Sequence, residues 1–74
     1  MNLLVVFLGQ DQGLEQRLIN IAENYQGVFQ EKDFLKGETV LSFKFKTPEQ
    51  EKSAQNEMKR IFKDKIGFGG IVSI

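Results

Sequence analysis

The first apolar run, Leu3-Leu4-Val5-Val6-Phe7-Leu8, sets hydrophobic side chains at both odd and even positions before Gly9 interrupts it. A strand that is apolar on both faces belongs inside a sheet, so residues 3–8 read as a central strand. From Gln12 to Gln26 the period changes: Leu14, Leu18, Ile21, Ala22 and Tyr25 recur at helical spacing, the stripe of an amphipathic helix. Asp11 is its expected N-cap and Gly27 its expected C′ residue. Residues 28–35 and 39–46 read as two strands of a hairpin turning at Lys36-Gly37, where glycine can supply a positive φ. In the second strand Leu41, Phe43 and Phe45 alternate with Ser42, Lys44 and Lys46, which predicts one strongly buried face. The first strand is ambiguous, because strict alternation puts Val28 and Phe34 on one face but Phe29 and Leu35 on the other.

Thr47-Pro48-Glu49-Gln50 predicts a helix start: a capping Thr, a Pro at N1 where no N–H is needed, and a Gln at N3 to complete a capping box. This second helix should turn Ala54, Met58, Ile61, Phe62 and Ile66 inward, place Lys63 and Lys65 in its last turn, and stop at Gly67. A glycine-rich approach then leads to a short terminal strand, Ile71 to Ile74. The order β-α-β-β-α-β, with short connections and right-handed crossovers, predicts an α+β, ferredoxin-like two-layer sandwich. Its antiparallel sheet has order 4-1-3-2 and both helices on one face.

Composition narrows the chemistry more than the fold. The 74 residues contain ten Lys+Arg, ten Asp+Glu and no His, Cys or Trp. That length suits one domain over residues 1–74, and a domain so small depends on an efficient core or on a partner. Without His and Cys the usual general base, thiolate nucleophile and metal ligands are missing, so any enzyme would rest on carboxylates, Lys, Tyr25 or a hydroxyl. Ser42, Ser53 and Ser73 lack the surroundings of an activated nucleophile. No cofactor or metal is implied. The opening apolar run lacks a basic leader and no run approaches the roughly 20 residues of a membrane helix, so the expected setting is cytoplasmic and away from membranes.

Two stretches remain as candidate sites. Gly9-Gln10-Asp11-Gln12-Gly13 joins the first strand to a helix N-terminus, where free backbone N–H groups can hold an anion. The absence of a following Lys and the presence of Asp11 favour a plain turn over a phosphate loop. Together with Leu4-Val5-Val6-Phe7, Leu14, Ile19, Ile21 and Ala22, this stretch resembles the first half of ACT-type regulatory domains. The resemblance covers residues 3–27, and Gly27-Val28-Phe29-Gln30 replaces the Gly-x-Asn-Ile ending common after that family's first helix. It implies a small ligand, such as an amino acid, near Asp11, Gly13 and Leu14, at a subunit interface.

The second stretch is the C-terminal edge. Residues 28–36 carry Glu31, Lys32, Asp33 and Lys36, the charges that blunt an edge strand, whereas Phe68-Gly69-Gly70-Ile71-Val72-Ser73-Ile74 carries none. Gly70, Ile71, Val72 and Ile74 are therefore the candidate partner interface. Nucleic acid is a poor fit. Net charge is zero, Lys44-Phe45-Lys46 lacks the aromatic-glycine pattern of RNA-binding sheets, and Phe43 and Phe45 are needed for the core. The expected function is a small non-catalytic interaction module, self-associating or docking on a larger protein through its open sheet face and terminal edge. The ACT-type ligand binder is the alternative, and a carboxylate or Lys enzyme comes third.

Overall fold

The computed structural model describes residues 2–69. Strand β1 (Asn2–Leu8) is followed by helix α1 (Gln12–Asn24), strands β2 (Val28–Leu35) and β3 (Glu38–Lys44), helix α2 (Pro48–Phe62), a short 3-10 turn (Lys63–Lys65) and strand β4 (Gly67–Gly69). The sheet is antiparallel with order β2-β3-β1-β4, the ferredoxin-like arrangement expected from the element order. Leu3, Val5 and Phe7 of β1 and Leu41 and Phe43 of β3 form one core with Leu18, Ile21 and Ala22 of α1 and Ala54, Met58 and Phe62 of α2. Both helices thus cover the same face of the sheet. No helix among the described residues is long and apolar enough to cross a membrane.

The ambiguity of β2 is resolved by a bulge. Phe29 pairs with Phe43 but Glu31 pairs with Ser42, so one residue is inserted between them and the alternation shifts by one position. Phe29 and Phe34 consequently share the helix-covered face, and Phe29 packs on Phe43 with ring centroids 5.6 Å apart. Val28 and Leu35 fall on the open face. Lys32, opposite buried Leu41, reaches the half-buried Glu15 of α1 at 3.1 Å, an ion pair at the protein surface of small energetic weight.

Several boundaries differ from expectation. The left-handed residue ending α1 is Gln26 (φ 71), not Gly27. Gln26 donates to the Glu23 carbonyl and Gly27 to that of Ala22, a Schellman closure with glycine one place beyond the usual position. At α2, Thr47 Oγ1 accepts from the Gln50 N–H at 3.1 Å. Gln50 Oε1 is buried without a partner, so only half of the capping box forms. That helix stops at Phe62 rather than at Gly67, because Lys63 adopts φ 49 and starts the 3-10 turn. Within α2 the buried side chains are Ala54, Met58 and Phe62, and Ile61 is left exposed instead of joining the core, whereas Ile66 does join it. Strand β4 starts at Gly67, earlier than expected, and the predicted strand Ile71–Ile74 lies outside the described residues.

Two contacts tie the helices together beyond their apolar stripes. The Arg17 guanidinium lies 4.9 Å from the centroid of the Phe62 ring, and Tyr25 donates its phenolic hydrogen to Glu57. Donation to the Glu57 carboxylate, then desolvation and the nearness of that negative charge, hold the Tyr25 pKa above the usual value, against an opposing effect of Arg60. A raised native pKa means that this contact stabilises the fold fully below the unfolded tyrosine value of about 10 and is lost as pH rises through the native value. Tyr25 is the single tyrosine, so an ultraviolet titration reads it alone. Its midpoint should fall on Glu57→Gln; equal midpoints would exclude this coupling.

Candidate functional site

The face of the sheet opposite the helices is built by the second half of each strand's alternation. On β1 it presents Leu4, Val6 and Leu8. Their neighbours across the strand pair are Ser42, Val40 and Glu38 of β3. On the other side Leu4 and Val6 face Gly69 and Gly67 of β4, which have no side chain to cover them. A Cβ on Gly69 would stand 3.2 Å from that of Leu4, so glycine there keeps a shallow trough beside β1. Leu8 is 80% exposed and Leu35 62%. Leu4 and Val6 are half-buried. Single exposed hydrophobics are ordinary, but an aligned apolar column on the open face of a central strand is not.

The border of this column is acidic. The bulge in β2 places Glu31 opposite Ser42 and Asp33 opposite Val40, so both carboxylates stand on the open face. Glu38 joins them between Leu8 and Leu35. None of these three carboxylates has an ion pair or side-chain hydrogen bond among the described residues. Among the described residues the one cation on this face is Lys44, at the far end of β3 beside Asn2 and Val28. Phe7, Phe43 and Phe45 are all buried on the helix side, so no aromatic of the two central strands is available for stacking bases.

The strand-helix turn is a second feature. Gly9 takes φ 71, its N–H donates to the Gly37 carbonyl at 2.7 Å, and its own carbonyl accepts from buried Thr39 Oγ1 at 2.6 Å. The turn is thereby pinned to the β2–β3 hairpin, where Lys36 and Gly37 both have positive φ. Asp11 Oδ1 accepts from the Leu14 N–H at 3.0 Å, as the N-cap expectation requires. Gly13 has no left-handed φ, and a Cβ there would meet only Asp11 Oδ1 at 3.4 Å, so glycine at this position is not imposed by backbone geometry.

Asp11, Gly13 and Leu14 come together on a cleft of about 330 Å³ between the first turn of α1 and the end of α2, which Arg17 and Lys65 also line. Asp11 and Leu14 are shared with a broader cleft of about 620 Å³ that runs past Glu38 and Leu8 to Asp64 and Ile66. The two cations were not singled out by motif. Lys65 arrives through the 3-10 turn that replaces the predicted last turn of α2, which no local pattern announces. The expected interface residues Gly70, Ile71, Val72 and Ile74 lie outside the described residues. Of that edge, Phe68 packs on the core beneath Lys59, whose Nζ is 6.0 Å from the ring centroid. No protein-family model matches this chain, and no curated protein matches it in sequence.

Proposed function

We propose that this chain is a small non-catalytic interaction module that docks another polypeptide through the open face of its sheet, next to the β4 edge. The observation that carries the reading is the column Leu4, Val6 and Leu8 on the central strand, uncovered by the helices, with glycines beside Leu4 and Val6. Burying such a column gains about 25 cal/mol per Å² of apolar area, and β4 pairs on one side only among the described residues, leaving main-chain groups for an added strand. Leu8→Lys tests it, because Leu8 is exposed enough to change without disturbing the core. Wild type should show a larger light-scattering mass or capture a partner that Leu8→Lys does not, with equal melting temperatures. A wild-type monomer at high micromolar concentration whose captured partners match those of Leu8→Lys would defeat the reading.

A second reading, the ACT-type ligand binder, is favoured by one arrangement. The smaller cleft sets Arg17 and Lys65 near Asp11, charges that suit the carboxylate and ammonium ends of an amino acid. Titration calorimetry with an amino-acid panel against wild type and Lys65→Gln decides it: heat for one amino acid that Lys65→Gln abolishes supports the reading, and no heat for any of them removes it.

A further inference from the structure

We infer that the open sheet face takes a basic amphipathic helix from another polypeptide, an inference that rests on the interaction-module reading and names its partner's chemistry. The apolar strip is narrow. It comprises Leu4, Val6 and Leu8 of β1 with Val40 of β3 alongside: on the rows of Leu4 and Val6 the β2 positions are Glu31 and Asp33 and the β4 positions are glycines, and on the row of Leu8 the apolar Leu35 of β2 stands beyond Glu38. A second sheet packs on apolar side chains continuous over several strands, whereas here Glu31, Asp33, Glu38 and Ser42 separate Val28 and Leu35 of β2 from the β1 column. One ridge of a helix needs only such a strip.

From Leu4 to Leu8 a strand rises about 13 Å at ~3.3 Å per residue, matched by about nine helical residues at ~1.5 Å each. The glycines at 67 and 69 leave room on one side for the helix to settle. On the other side Glu31, Asp33 and Glu38 have no partner among the described residues, and Lys or Arg beside the helix's apolar stripe would supply one. A second copy of this chain fits less well, because its own open face presents the same three carboxylates and, among the described residues, Lys44 as its single cation.

The test uses a helical peptide with Leu at i, i+3, i+4 and i+7 and Lys elsewhere, against a control with Glu in place of each Lys. Nuclear magnetic resonance titration of the full chain should show the Lys peptide shifting Leu4, Val6, Leu8 and Val40, with binding weakened by salt, and no shift from the Glu peptide. Glu31→Lys combined with Asp33→Lys should weaken the Lys peptide at least about tenfold and admit the Glu peptide. Equal binding of both peptides by wild type, or shifts located elsewhere, would overturn the basic-helix inference while leaving the docking face intact. Binding of neither peptide would overturn it too; the Leu8→Lys comparison then separates a face covered by a second copy from a face that docks nothing.

Discussion

Phe43→Ala is expected to remove about 3–5 kcal/mol of stability, close to the roughly 4–11 kcal/mol that a chain of this length holds in total. Phe43 is fully buried at 0% exposure in the middle of β3. It is paired with Leu3 of β1 on one side and with Phe29 of β2 on the other, and its ring meets that of Phe29 at an interplanar angle of 54°. Truncation therefore opens a cavity bounded by the sheet itself, where strand pairing resists collapse, and strips the edge strand of its one aromatic anchor. Phe34→Ala is the internal control. That ring is on the same face but 47% exposed at the hairpin end, and its loss should cost under about 1 kcal/mol. Urea unfolding of both variants is the measurement. Similar midpoints for the two would show that the register of β2 on β3 is wrong.

That register marks where reading the sequence stops. The element order, the buried alternation of Leu41 and Phe43 and the two caps at Asp11 and Thr47 are local or periodic signals, and they suffice for the sheet order because few connections satisfy short loops and right-handed crossovers. The bulge between Phe29 and Glu31 leaves no such signal. It is detected only as two phenylalanines on conflicting faces, and it alone decides that Glu31 and Asp33 border the open face while Lys32 turns toward Glu15. Both carboxylates are legible as edge charges on one face, since they stand two residues apart; which face that is depends on the bulge.

The end of α2 is a similar case. Lys63, Asp64 and Lys65 continue the composition of a helix, yet the chain leaves the α-helix at Lys63 with φ 49. The turn that follows places Lys65 on the cleft with Arg17 and still returns Ile66 to the core. Local preference is overridden here by the need to bring Gly67 into register with Val6. For the candidate cleft, Asp11, Gly13 and Leu14 were legible because a turn and a helix cap are written in consecutive residues, whereas Arg17 and Lys65 meet them only through packing of the helices.

Gly27→Ala is expected to cost about 2–3 kcal/mol by overpacking. The expectation at the sequence level is a glycine needed for a left-handed φ, but that conformation belongs to Gln26. Gly27 is buried for a steric reason: a Cβ would stand 2.5 Å and 2.6 Å from Cε2 and Cζ of Phe45, and 3.0 Å from the Ala22 carbonyl oxygen. Neither neighbour yields easily. Phe45 is 2% exposed within the core, so rotating its ring displaces other side chains, and the Ala22 carbonyl is held by the N–H groups of both Tyr25 and Gly27. If the clash is the cause, shortening the ring should relieve it, and Gly27→Ala combined with Phe45→Leu should be more stable than the sum of the single changes predicts by at least about 1 kcal/mol. A double-mutant cycle in urea measures that coupling. Strictly additive losses would mean that Gly27 acts through its backbone after all, and that the end of α1 is closed by glycine's freedom rather than by the space beneath Phe45.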